Sequence, residues 1–164
     1  MTRLLLGALA AALASPAVAP IPSVGPPWIS IEHPVNPYDA TTRGAYLVVH
    51  AFHHGTPTAF PVSGTAEGLV NGQRRTVSLE FKTTSRTGAF VLSKQWPDAG
   101  TWTLVIAVAQ GPEDRVSAVV DIGADGQVSR VQVPTRTEGT HVLPARVSMN
   151  EIEAGLRARA KAGD

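Results

Sequence analysis

The chain has 164 residues, no cysteine, and 14 lysines and arginines against 13 aspartates and glutamates. This balance lacks the basic excess of a nucleic-acid-binding protein, so we expect no nucleic acid as a partner. Without cysteine the chain has no disulfide, thiolate nucleophile or cysteine-based zinc site, and its core alone must hold the fold.

The N-terminus has the pattern of a secretory signal peptide. Arg3 precedes an apolar run over residues 4–14, and small residues follow up to Ala19. We predict a signal peptide over residues 1–19, with cleavage near Ala17. The run is shorter than the roughly 20 residues that span a bilayer. We therefore expect export to the periplasm or the outside, with no transmembrane segment in the mature chain. Residues 20–27 are rich in proline and read as a linker.

From Trp28 onward apolar and polar residues alternate, which predicts half-buried β-strands. Asn71-Gly72 predicts a tight hairpin, since both residues tolerate the positive φ angles that a type I′ turn requires, and Asp125-Gly126 is a second hairpin signal. Frequent turns and no internal helix predict an all-β domain of about 7–8 strands over residues 28–134, followed by a loop over residues 135–147. The predicted inward-facing residues are Ile29, Ile31, Ala45, Leu47, Val49, Ala51, Val77, Leu79, Phe81, Phe90, Leu92, Trp102, Leu104, Ile106, Val108, Val116, Ala118, Val120 and Ile122.

One helix is predicted, over residues 148–162. Ser148 and Glu151 form a capping-box pattern, in which each side chain satisfies a free backbone N–H of the other residue. Met149, Ile152 and Leu156 follow at helical spacing. The narrow apolar stripe favours a helix that packs against the domain, and binding to a partner or a membrane surface is the alternative.

The segment Asp-Ala-Gly-Thr-Trp-Thr-Leu, residues 98–104, carries a resemblance. It resembles the opening of the sixth strand of immunoglobulin domains, where the pattern is Asp-x-Gly/Ala-x-Tyr-x-Cys. Trp102 then takes the place of the tyrosine corner, and Leu104 that of the cysteine. With the preceding Gly-x-Phe it is similar to bacterial exported domains of the YtkA/FixH type, the copper-resistance type and the macroglobulin-like type. The resemblance implies an immunoglobulin-like antiparallel β-sandwich.

A binding surface is predicted on one face of the sheet. Tyr46, His50 and Phe52 fall on the same side of a strand, and Trp28 points outward if Ile29 and Ile31 point inward. Exposed aromatic side chains often mark binding surfaces. We therefore predict that Trp28, Tyr46, His50 and Phe52 bind an unknown protein or small ligand of the cell envelope.

The five histidines allow a second interpretation, because imidazole binds copper and zinc. They are His33, His50, His53, His54 and His141. In a regular strand His50 and His54 lie about 13 Å apart and His53 points to the other face, too far for one metal. A site would need ligands from elsewhere, or a strand that ends at Phe52 so that His53 and His54 converge in a loop. A cluster of ordinary polar residues is the favoured interpretation.

The sequence contains no nucleophile elbow, zinc-protease motif or phosphate-binding loop, so we expect neither catalysis nor a cofactor. The favoured function is an exported, non-catalytic binding or accessory module of the bacterial cell envelope. One alternative is a periplasmic copper- or zinc-binding protein that uses His50, His53 and His54. Another is a structural module of an envelope assembly, tethered by the C-terminal helix.

Overall fold

The computed structural model describes residues 25–162, so the predicted signal peptide lies outside the described residues. This part of the chain forms twelve strands, one 3₁₀ turn at Ala40–Thr42 and one α-helix, α1 (Met149–Ala162). The strands are β1 (Trp28–Glu32), β2 (Leu47–His53), β3 (Thr56–Pro57), β4 (Val62–Val70), β5 (Gln73–Ser78), β6 (Lys82–Thr83), β7 (Ala89–Leu92), β8 (Thr101–Ala109), β9 (Arg115–Ile122), β10 (Val128–Gln132), β11 (Thr135–Glu138) and β12 (His141–Pro144).

The strands form two five-stranded antiparallel sheets and a separate hairpin. Sheet 1 has the order β1-β2-β7-β6, with β3 also paired to β2. Sheet 2 has the order β10-β9-β8-β4-β5, and β11 pairs with β12. The prediction of an all-β domain with a C-terminal helix is confirmed. The predicted number of strands was too low, because short strands and a polar hairpin escaped the alternation pattern.

Both sheets contribute to one apolar core. From sheet 1 it contains Leu47, Val49 and Ala51, and from sheet 2 it contains Leu104 and Ile106, all fully buried. These residues occupy every second position of their strands, so the alternation in the sequence identified the buried faces correctly. The core is continuous across both sheets, which holds them together without a disulfide.

The structure corrects two predicted segments. The alternation at Val77, Leu79 and Phe81 predicted one strand, but β5 ends at Ser78 and the chain crosses to sheet 1 before β6. Leu79 lies in the connection between the two sheets. Its side chain is still buried, because both sheets face the same core. The predicted loop over residues 135–147 contains the β11–β12 hairpin, whose mostly exposed side chains leave no apolar alternation.

The predicted hairpin at Asn71-Gly72 is confirmed. It joins β4 to β5, and its two residues have φ angles of +50° and +72°. These are the left-handed angles that a type I′ turn requires.

Helix α1 packs on the outer face of sheet 2. The backbone N–H of Ser148 donates to the Glu151 carboxylate at 2.9 Å, and the Glu151 N–H donates to Ser148 Oγ at 3.2 Å, which confirms the capping box. Ile152 and Leu156 are buried against a patch that includes Val105 and Val119. In residues 25–162 no helix is long and apolar enough to cross a membrane.

Candidate functional site

The outer face of sheet 1 carries an exposed aromatic patch, formed by Trp28, Phe52, His50 and Glu32. Trp28 lies directly opposite Phe52 in the β1–β2 pairing and is 46% exposed, as predicted for an outward-facing residue. The His50 ring stacks on Phe52 with 6.2 Å between centroids. A shallow groove of about 390 Å³ runs beside the rings of Trp28 and Phe52 and is also lined by Ser30. Three of the four predicted binding residues therefore lie together on a surface that can contact a ligand.

One side of the aromatic patch is polar and held in place by hydrogen bonds. Glu32 and His50 are joined by a hydrogen bond, with 2.8 Å between Oε2 and Nε2. The other carboxylate oxygen of Glu32 accepts a hydrogen bond from the Asn36 N–H at 3.0 Å. The Asn36 hydrogen bond, and next the contact with His50, lower the pKa of Glu32 below its usual value. The patch thus presents an apolar half beside a fixed negative charge.

The lowered pKa of Glu32 makes the contribution of this residue to stability depend on pH. The charged form stabilises the fold above the ordinary pKa of a glutamate, and that contribution is lost as the pH falls through the lower folded-state pKa. The stability difference between wild type and Glu32→Gln should therefore shrink between pH 7 and pH 3, as measured by urea unfolding. A difference that stays constant over this range would contradict the assignment.

The structure does not bring Tyr46 into the aromatic patch. Strand β2 begins at Leu47, and Tyr46 precedes it, about 20 Å along the chain from Phe52. Its hydroxyl donates to the Gly126 carbonyl at 2.7 Å, and its ring packs edge-on against Trp96. Burial, and next the charge of Asp125, raise the pKa of Tyr46. Tyr46 joins the residue before β2 to the turn between β9 and β10 and takes a structural role.

The structure also places the five histidines. His33 Nδ1 lies 3.1 Å from the Tyr46 carbonyl oxygen, and His141 is exposed on β12. Strand β2 continues through His53, and His54 follows with a φ angle of +49° that brings the two rings within 4.3 Å of each other.

The five histidines do not form one site. The His50 ring is hydrogen-bonded to Glu32, whereas the rings of His53 and His54 contact each other. Within residues 25–162, no three histidine or acidic side chains come close enough to hold a metal ion. The convergence that the metal interpretation requires is not observed among these residues.

Comparisons with protein-family models, with curated proteins and with solved structures find no match for this chain. The resemblance to exported bacterial sandwich domains therefore stays a prediction. Sequence reasoning missed the place of Glu32 in the aromatic patch and of Ser30 in the groove beside it. The alternation puts both on the same side of β1 as Trp28, but only the pairing of β1 with β2 shows that they lie beside His50 and Phe52.

Proposed function

We propose that the chain is an exported, non-catalytic binding or accessory module of the bacterial cell envelope, built on an immunoglobulin-like sandwich. The observation that carries this proposal is the aromatic patch. The Trp28 indole is 46% exposed and lies next to a second aromatic ring and a groove. Apolar groups that are clustered on a surface in this way often mark a binding site. Tryptophan is also enriched among the residues that dominate binding energies.

The local structure around Trp102 supports the immunoglobulin-like interpretation. In the immunoglobulin pattern, the corner tyrosine donates its hydroxyl to a backbone carbonyl a few residues upstream. Here the indole Nε1–H of Trp102 donates to the Ala99 carbonyl at 2.9 Å, three residues earlier. Leu104, at the position of the cysteine, is fully buried in the core between the sheets. The tryptophan thus reproduces the hydrogen bond, and the leucine replaces the disulfide by packing.

Site-directed photocrosslinking tests the proposed binding surface. Benzoylphenylalanine would be placed at position 28, at position 52 and, as a matched control, at Tyr38, an aromatic residue that is 94% exposed and outside the patch. In a bacterium that exports the full chain, positions 28 and 52 should give the same discrete adduct, and position 38 should not.

Competition in envelope extracts supplies the second arm of this test. Excess wild-type protein should suppress the adduct, whereas the Trp28→Ala protein should compete about tenfold less well, since loss of one dominant side chain costs at least this factor. Equal adducts from all three positions, or equal competition by the two proteins, would overturn the proposed surface.

A further inference from the structure

The two sheets differ in width on one side of the domain. Strand β1 is the edge strand of sheet 1 and packs against β9. Sheet 2 continues past β9 to β10, whereas sheet 1 has no strand beyond β1 in the described part of the chain. Among residues 25–162, sheet 1 therefore has no strand beyond β1 to cover the inner face of β10. We call the space bounded by β1 and β10 the edge notch.

Val131, on the inner face of β10, is the exposed apolar residue of the edge notch. Val131 pairs with Val120, and residues directly opposite in an antiparallel pair point to the same face of the sheet. Val120 is fully buried in the core, so Val131 points inward as well. Its neighbours Val128 and Val133 are partly buried on the core, yet Val131 is 41% exposed. This exposure is expected where sheet 1 has no strand beyond β1 to cover the inner face of β10.

The backbone of β1 offers hydrogen bonds to a strand in the notch. The Ala51 N–H donates to the Gly88 carbonyl, toward β7, so the alternate residue His50 directs its amide toward β1. His50 pairs with Ser30, and the amides of Ile29 and Ile31 on either side of Ser30 therefore point away from β2. No strand among residues 25–162 pairs with this edge.

We propose that the edge notch receives an extended peptide segment of a partner protein, added antiparallel to β1 as a further strand of sheet 1. The proposal rests on the proposed binding function and names its partner's chemistry. Main-chain bonds to Ile29 and Ile31 give such strand addition its affinity, and side chains at alternate positions give it specificity. Two β-branched residues would cover Val131, and a lysine or arginine would lie opposite Glu32, whose charge favours a basic residue there.

A second copy of the chain fits the edge notch less well than a peptide. Symmetric pairing of β1 with β1 of another copy would bring the two β9 strands to the distance of adjacent strands, about 5 Å. Two β10 strands must fit between them, because each sheet 2 extends one strand beyond β1. A single added strand meets no such conflict, since it would lie above one β10 only.

A synthetic peptide tests the strand addition. The probe is Lys-Val-Thr-Val-Leu with blocked ends, which sets lysine opposite Glu32 and the two valines opposite Ile31 and Ile29. Binding is followed by amide chemical shifts and hydrogen exchange of the mature protein. Without peptide, the amides of Ile29 and Ile31 should exchange at least about tenfold faster than that of Ser30, and the peptide should slow them. N-methylation of both valines should weaken binding about tenfold, because it removes two main-chain donors.

Two variants of Ile31 separate main-chain from side-chain contributions. Ile31→Pro removes the outward N–H without removing a bond between β1 and β2, whereas Ile31→Ala shortens the side chain and keeps the N–H. The proline variant should lose peptide binding, and the alanine variant should retain most of it, with urea unfolding confirming that both proteins fold.

Each outcome decides the proposal. Protection of the Ile29 and Ile31 amides in the protein without peptide would overturn it, because the edge would already be covered by this chain or by a second copy. Equal losses for the two Ile31 variants, or equal binding of the N-methylated peptide, would also overturn it. If the peptide fails while position 28 still gives its specific adduct, the strand addition is wrong and the binding surface stands. If both fail, the proposed function falls as well.

Discussion

Replacing Gly68 with alanine should lower the free energy of unfolding by about 3 kcal/mol, because it overpacks the centre of the core. Gly68 lies opposite Trp102 in the β4–β8 pairing, and a Cβ atom at this position would meet the indole ring at 2.5 Å. The indole cannot move away easily, since it is 2% exposed and its Nε1–H is bonded to the Ala99 carbonyl. Urea unfolding monitored by circular dichroism measures the loss.

A control and a double mutant show whether the indole causes this loss. Gly155 lies in the middle of α1, where an added Cβ atom would meet nothing within 4 Å. The control Gly155→Ala should therefore raise the free energy of unfolding by about 1 kcal/mol, because alanine favours the helix more than glycine does. Trp102→Leu is destabilising by itself, but Gly68→Ala should cost much less in that background than in wild type. An equal cost of Gly68→Ala in both backgrounds would show that the contact with Trp102 is not the reason.

Asp121→Ala should destabilise the domain by a similar amount, about 3 kcal/mol, because it leaves a half-buried arginine without its acidic partner. Asp121 is 5% exposed and accepts hydrogen bonds from Thr103 Oγ1 at 2.8 Å and from Arg130 Nε at 2.9 Å. Arg159, near the end of α1, lies 3.2 Å from the same carboxylate and also donates to the carbonyls of Trp102 and Ile122. The carboxylate thus joins the helix to the outer face of sheet 2.

The two arginines provide matched controls for Asp121. Arg130 is 61% exposed at its side chain, so Arg130→Met should cost less than about 1 kcal/mol. Arg159→Met should cost more, since Arg159 is 27% exposed and carries the contact to the helix. Adding Arg159→Met to Asp121→Ala should cost less than the sum of the two single changes, because the more buried of the two arginine charges is then no longer left unpaired. Strict additivity would show that the two side chains do not act together. Hydrogen exchange should report faster exchange in α1 for Asp121→Ala than for Arg130→Met.

Features with a local cause were predictable from the sequence. The alternation marked Leu104 and Ile106 as core residues, Asn71-Gly72 marked a hairpin, and Ser148 with Glu151 marked the start of the helix. Each depends on the chemistry of residues close together in the chain, which a single sequence displays directly. The outward direction of Trp28 followed from the same rule.

Features that depend on pairing between distant strands were not predictable. The register that sets Trp28 opposite Phe52, and Glu32 beside His50, joins segments about twenty residues apart. The exposure of Val131 depends on how far the facing sheet extends. The alternation within β10 gives the direction of the side chain but not the extent of the other sheet. Tyr46 follows the alternation of β2 by sequence, but it lies before the first paired residue, where the pleat no longer fixes its direction.

The connections between the sheets have a consequence for how the domain fluctuates. In the described chain, three connections pass from one sheet to the other, over residues 58–61, 79–81 and 93–100, and all of them join strands among β3 to β8. Within residues 25–162, β1 and β9 are joined along the chain only to strands of their own sheets, and β10 is joined only to β9 and to the β11–β12 hairpin. Thermal motion should therefore separate the sheets most easily between β1 and β10, with the covalent crossings acting as a hinge on the far side. Proteases and hydrogen exchange should detect this opening before global unfolding, at the side of the domain where we place the added strand.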